Sequence, residues 1–471
     1  RCNSALRVLN AATDEQVNGR VSRIAEMKVL RAHYYFELSR LFNKIPYFDE
    51  NVEISQYPDI PNNEFTRDEI LSMLAKEMLD AAELLPASQS EVGRIHKYIA
   101  LAYAAKIKLY QAYQQDEITH AVTSINKELL REVVSLCDQV TASNRYGLLD
   151  DFQGLDLVTN ENGKESVFAI QYSMNDGTES AGRINWSNLL NSPGGGSPYG
   201  GDGFFLPSQD LINAYQTDAN GLPDFNYQSK SDYSWAVLNN GVYTLQNTTP
   251  NVDPRLDFVV GRPTITWKTY PDKPCEGWVR GKDTYGYNCA KRFWVSPESS
   301  DMFNGWPWGA SQLNWQIIRY ADILLWKAEA LIELNEGNGL ETARDLINQI
   351  RNRARNSAYV KDFNDHSKYA ANYLVNPYPA DVWNQDYARQ ALRWETRLEK
   401  ALEGERFFDL VRWGIVETTM NKYITAESDN RIYYANAHFT GGKDEYYPVP
   451  NNQYGFSGGK YVQNPGYAPF N

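Results

Sequence analysis

The chain has 471 residues, 42% of them hydrophobic, enough to bury one large core or two to three ordinary ones. Its 59 acidic against 46 basic side chains leave a formal charge of −13, the wrong sign for gripping the phosphates of a nucleic acid or an anionic lipid surface. No apolar run of about eighteen residues is present to cross a bilayer as a helix.

No signal peptide precedes the first elements, and Ala5, Leu6 and Leu9 already fall on helical spacing. The opening reads as the middle of a helix, so further sequence is expected before Arg1. Ile24, Met27, Leu30, Tyr34, Leu38 and Leu41 mark one face of a helix that ends near Pro46. Thr66-Arg67-Asp68-Glu69 is a capping box, followed by Ile70, Leu74, Met78, Ala81 and Leu85, with Pro86 as the stop. Ile95, Tyr98, Ala102, Ala105, Leu109 and Ala112 form the next stripe, and Leu129, Val133, Leu136 and Val140 a fourth. Alanines in these stripes let backbones approach closely. Stacked antiparallel helix pairs of the tetratricopeptide kind bury such faces, although no strict repeat of about 34 residues is visible. Residues 1–150 are therefore expected to form the N-terminal part of a helical-repeat scaffold.

Between residues 151 and 315 glycine, proline, asparagine and serine are frequent, and Ser192-Pro193-Gly194-Gly195-Gly196-Ser197-Pro198 excludes regular structure. Short strands are expected, Ser166–Ile170 among them. The aromatic content argues against disorder, so this segment reads as a loop-rich lobe. Helices return at residue 316. Ile317, Ala321, Leu324, Ala328 and Leu331 make one stripe, Asn335–Gly339 a turn, and Leu340, Ala343, Leu346 or Ile347, and Ile350 the returning stripe. A further helical stretch is expected from about Asp386 to Val411, within a C-terminal scaffold part at 316–420. Residues 421–471 read as an extended tail packed on it. The whole is expected to be one integrated unit, mainly α, a tetratricopeptide-like helix-pair scaffold with an irregular ligand-binding lobe.

Of the four cysteines, Cys2 and Cys137 fall in helical patterns as buried thiols. Cys275 and Cys289 flank an aromatic, glycine-containing loop that a disulfide would close in an oxidising compartment. No zinc spacing, HExxH, GxSxG or phosphate loop is present, so no cofactor is expected. Glycoside hydrolysis needs only two placed carboxylates, which no motif scan excludes.

Several segments resemble one family in its own order along the chain. Ala25–Leu38 with Arg40-Leu41-Phe42 and Ile45-Pro46 is similar to the first helical signature of SusD/RagB proteins, and Glu165–Tyr172 to a strand of that family. Arg319–Ala330, Ile347–Ala354, Leu402–Gly414, Tyr447–Pro450 and Gln463–Tyr467 resemble its later blocks. Lys400, where the family usually has Leu, and His33 depart from the pattern. The resemblance implies a non-catalytic protein that binds an oligosaccharide or polysaccharide and delivers it to a SusC-like TonB-dependent barrel transporter. It also implies a place on the cell outer membrane, surface-exposed and held by an N-terminal lipid anchor absent from this chain. A peptide ligand, or a plain protein–protein repeat scaffold, are the alternatives.

Glu403, Arg406, Asp409 and Arg412 stand at helical spacing, either as an acid/base cluster or as ion pairs that tie the last helix to the tail. The ligand signal is aromatic. Six of the twelve tryptophans, Trp267, Trp278, Trp294, Trp306, Trp308 and Trp315, fall within one loop-rich stretch. Asn304-Gly305-Trp306-Pro307-Trp308-Gly309 sets two indoles on a stiff loop, where exposed faces can stack on sugar C–H groups while Asn304 bonds a hydroxyl. Trp306, Trp308, Asn304, Trp278, Trp294 and Tyr285 are the candidate glycan-binding residues. The competing reading is that these indoles form the core of a lobe with little regular structure.

Overall fold

The computed structural model describes residues 1–178, 182–188, 190–191, 194, 196–234, 236–239, 242–245, 250–270, 277–306 and 308–470. Five helices come first: α1 (Cys2–Ala11), α2 (Arg20–Phe42), α3 (Arg67–Leu84), α4 (Lys97–Ala112) and α5 (Lys127–Ala142). Three short helices, α6 (Gln209–Ala214), α7 (Arg255–Val259) and α8 (Lys282–Tyr285), punctuate the lobe. Then follow α9 (Tyr320–Leu334), α10 (Gly339–Asn356), α11 (Gln385–Glu399), α12 (Arg406–Arg412), α13 (Val416–Ser428) and α14 (Asn451–Phe456).

Packing follows the chain from α2 to α5, then passes directly from α5 to α9 and on to α10 and α11. The two helical parts are thus one continuous stack of tetratricopeptide-like pairs, with the lobe inserted between α5 and α9. An antiparallel ladder of Ser166–Ile170 with Trp315–Arg319 joins the two ends of that insertion. The capping box forms as read: Glu69 accepts the Thr66 N–H at 2.8 Å, and Thr66 Oγ1 accepts the Glu69 N–H at 3.3 Å. In the tail, Asn464 donates to the Phe42 carbonyl at 2.8 Å, and Tyr447 N–H to the Leu41 carbonyl at 2.8 Å, fastening it to the end of α2.

Two helical readings need correction. The buried face of α2 is Ala25, Val29, Ala32 and Phe36, while Tyr34 is exposed. The helix has turned its small side chains inward because α3 packs closely on it, and the larger apolar residues line the flanks. The stretch from Asp386 to Val411 is not one helix. Leu402 and Gly404 both have positive φ, so α11 stops and α12 restarts in a new direction. Glu403 sits in that break and not on a shared helical face with Arg406.

The break feeds a buried ionic network. Arg319, at the start of α9, meets Glu165 at 2.7 Å, Glu403 at 2.7 Å and Glu399 at 3.0 Å. Arg353 of α10 also pairs with Glu165, at 3.1 Å, and with Glu399. From Glu399 the chain of pairs runs through Arg255 to Asp253 at 2.7 Å and to Glu395 at 2.6 Å, where Arg351 joins at 3.0 Å. From Glu403 it runs through Arg292 to Asp156 and Lys268, and through Lys400 to Asp322. Each cation has an anion, so the charges balance with almost no water contact. Burial alone would raise Glu399, but Arg353, Arg319 and Arg255 outweigh it and hold the carboxyl down to about 2. The cluster around Glu403 therefore welds lobe to scaffold; it does not tie the last helix to the tail. Asp409 and Arg412 do form an i,i+3 pair at 3.0 Å, and Arg412 reaches on to Glu329 of α9.

Three histidines set an acid limit. Burial pushes His33, His96 and His120 each down to about 4. In the unfolded chain each titrates near its ordinary value of about 6.5, so protons favour unfolding below that pH. The contribution of these three groups is full above pH 6.5 and falls as pH drops toward 4, opposed in part by Glu161, which burial raises to about 7. Glu399 adds a second, lower window, lost only from its ordinary value of 4.5 down to about 2. Thermal melts by circular dichroism from pH 7.5 to 3 check both; an unchanged Tm between about pH 7 and 4.5 contradicts the histidine window.

Candidate functional site

The lobe has its own aromatic core. Tyr199, Trp267, Trp278, Cys289 and Trp294 pack together, with Trp267 Nε1 donating to Tyr199 Oη at 2.9 Å and Tyr199 Oη donating to the Val295 carbonyl at 2.7 Å. Trp278 and Trp294 are each 2% exposed. Neither can offer a face to a ligand, which corrects their place among the candidates. The physical reason is that loops and two- to four-residue strands supply no apolar face of their own, so large rings must fill the interior. Cys289 is buried beside this cluster. Its expected partner Cys275 lies outside the described residues.

Trp306 and Trp308 are placed differently. Met302 bridges Ser311, and the Phe303 N–H donates to the Ala310 carbonyl at 2.8 Å, so residues 304–306 and 308–309 sit at the tip of a closed hairpin. Gly305 and Gly309 both have positive φ, at 126° and 73°. At Gly309 a Cβ would also stand 2.8 Å from Trp294 and 3.0 Å from Tyr199, so the tip is seated directly on the aromatic core. Above that seat Trp306 is 62% and Trp308 52% exposed. Pro307 between them lies outside the described residues.

Neighbouring loops complete a platform. The Asn185 N–H donates to the Ser311 carbonyl at 2.9 Å, which brings Trp186 against the hairpin. Its ring meets Trp306 edge to face, with centroids 5.2 Å apart and planes at 72°, and remains 42% exposed. Trp308 stands over Gly200, where an added Cβ would come within 3.1 Å of the Trp308 Cβ. Beyond that turn Phe204 and Phe205 are exposed, with the Phe204 N–H bonded to the Leu190 carbonyl at 3.0 Å. Polar groups lie alongside. Asn304 is exposed and its amide has no hydrogen-bond partner among the described residues. Arg280 donates to the Gly201 carbonyl at 3.1 Å and lies 3.7 Å from Asp202.

Tyr285 is exposed but pairs with Tyr433, at 5.9 Å between centroids, rather than with an indole. Of the six candidates the structure thus brings Trp306, Trp308 and Asn304 onto one surface, sets Tyr285 in a tyrosine pair, and buries two. Trp186, Phe204 and Phe205 were missed. The only signal they carry is an aromatic beside asparagine or glycine in a turn-rich stretch, which is also what a core ring in this lobe looks like. Stacked and edge-on faces of fixed indoles can hold a flat, weakly polar ligand, and they offer no proton-transfer chemistry.

The family model for the SusD family matches residues 164–467. A SusD-like protein of Bacteroides ovatus is 22% identical over 432 residues, covering 87% of this chain and 63% of that protein's own length. Among solved structures, a SusD superfamily protein from Bacteroides vulgatus superposes with a TM-score of 0.69 at 21% identity, covering 99% of this chain and 82% of that one. Surface glycan-binding protein A from Bacteroides thetaiotaomicron, solved in complex with laminarihexaose, superposes with a TM-score of 0.63 at 18% identity, covering 98% of this chain and 82% of that one.

Proposed function

The chain belongs to the SusD family, and on that premise we propose that it is a non-catalytic cell-surface protein that captures oligosaccharide or polysaccharide on the Trp186–Trp306–Trp308 platform. The reading includes delivery to a partner TonB-dependent barrel in the outer membrane, with the protein lipid-anchored beside it. The observation that carries it is the exposure of two indoles on a hairpin whose glycines and aromatic seat hold them outward. Rings left in water without a structural role cost solvation, and a ligand that covers them recovers it. The likeness to a glycan-binding protein bound to laminarihexaose supports the same ligand class.

Native affinity gels containing laminarin, starch, xylan and other polysaccharides test it. Retarded migration on at least one glycan, with no reducing sugar released by the purified protein, is the expected result. Unchanged mobility on every glycan favours a peptide ligand, and released sugar makes the protein an enzyme.

A further inference from the structure

The lobe holds a second concavity that shares no lining residue with the indole platform. Its volume is about 850 Å³, and its accessible apolar lining is Leu157, Val158 and Tyr359, backed by the buried Phe152, Phe258, Val295 and Val360. The two phenyl rings stack on each other, 5.8 Å between centroids. Ligand sites generally have volumes of about 300–1,000 Å³ with an apolar floor and a few placed polar groups. We propose that this hollow is a second binding site, for a neutral saccharide unit.

The charges around it argue for neutrality because they are already matched. Lys164 pairs with Asp150 at 2.9 Å and Lys268 with Asp156 at 3.0 Å. Lys291 Nζ is held by the carbonyls of Asp257 and Thr266 at 2.7 and 2.9 Å, and Lys361 lies 3.9 Å over the Tyr369 ring. The remaining acids are hydrogen-bonded. Asp151 accepts the N–H groups of Gln153 and Ala358, Glu298 accepts Thr269 Oγ1 at 3.0 Å, and Asp301 accepts Gln312 at 2.7 Å. The five carboxylates Asp150, Asp151, Asp156, Glu298 and Asp301 and the four ammonium groups Lys164, Lys268, Lys291 and Lys361 on the lining nearly cancel, so neither a cation nor an anion is favoured overall. A hydroxyl need break no pair, since each carboxylate has about four lone-pair sites and most here use one or two. Thr266, Thr269, Ser296 and Ser299 add hydroxyls of their own along the wall. Accessible apolar side chains beside carboxylates with free lone pairs suit a molecule with C–H faces and many O–H groups. The hollow is also rigid on one side, because Asp156 belongs to the ionic network that joins lobe to scaffold.

The saccharide class rests on the glycan reading of the platform, whereas the location does not. Calorimetric titration with laminarihexaose, maltohexaose and cellohexaose separates the two sites. The proteins compared are the parent, a Trp306→Ala/Trp308→Ala double variant, Ala358→Trp at the exposed mouth, and all three changes together. The double variant is expected to keep one saturable site for at least one hexasaccharide. Adding Ala358→Trp should weaken that residual site at least tenfold, and Ala358→Trp alone should leave the platform affinity in place. Glu298→Ala, which adds no bulk, should weaken the residual site at least threefold. Complete loss of binding in the double variant overturns the cavity site and leaves the platform standing. Residual binding indifferent to both Ala358→Trp and Glu298→Ala overturns it as well. Parent-like binding in the double variant that Ala358→Trp abolishes overturns the platform and supports the cavity. No binding of any hexasaccharide by any of the proteins overturns both.

Discussion

Glu399→Ala is expected to cost about 3–5 kcal/mol of folding stability, the usual penalty for deleting one partner of a buried pair. Glu399 is fully buried and receives Arg319, Arg353 and Arg255. Those arginines keep other partners after the change, but the cluster then carries one uncompensated positive charge out of reach of water. Glu399→Gln, which retains hydrogen bonding and loses the charge, should fall between the parent and the alanine variant. As a control, the surface pair of Arg131 with Glu336, about half exposed on each side, should tolerate loss of either partner with little change. Urea denaturation reads all of them, with lowered midpoints at constant m for the Glu399 variants. A parent-like midpoint for Glu399→Ala would mean that the network admits water, and the weld between lobe and scaffold would then be far weaker than its burial implies.

Exposed and buried tryptophans should separate cleanly on mutation. Trp306→Ala and Trp308→Ala each remove a stacking face that contributes about 1 kcal/mol, roughly fivefold in affinity, and the double variant about thirtyfold if the two act independently. Neither should move the melting temperature by much, since both rings are more than half exposed. Trp294→Ala should do the reverse, costing about 3–5 kcal/mol through the cavity it leaves. It also unseats Gly309, where the Trp294 ring occupies the space a Cβ would need, so any binding lost in that variant comes through the hairpin. Affinity gels paired with thermal melts distinguish the two classes. Parent-like affinity in the Trp306→Ala/Trp308→Ala protein would move the ligand off the platform.

The four early helices and the α9–α10 hairpin were legible because a helix face repeats every three to four residues and proline, glycine and capping boxes punctuate it locally. The capping box at Thr66 and Glu69 needed only four residues of context. The face of α2 was misread because Ala25 and Ala32 weigh less in a hydrophobic pattern than Met27 or Tyr34, although close approach of α3 favours the smaller side chains. The stretch from Asp386 to Val411 keeps helical spacing across Leu402–Gly404, where the backbone turns through two positive-φ residues and Glu403 meets Arg319, Arg292 and Lys400.

In the lobe, the order of residues determined the strand at Ser166–Ile170, and otherwise only that rings would be abundant and loops long. Trp278 and Trp308 sit in similar glycine- and proline-marked surroundings, yet one is core and the other surface. That choice was made by contacts between segments distant in the chain: Tyr199 with Trp267, Asn185 with Ser311, Gly200 with Trp308. Local periodicity reports which face an element buries against its neighbour. Where no element repeats, burial is decided by whichever remote segments arrive to cover a ring, and only the tertiary structure records their arrival.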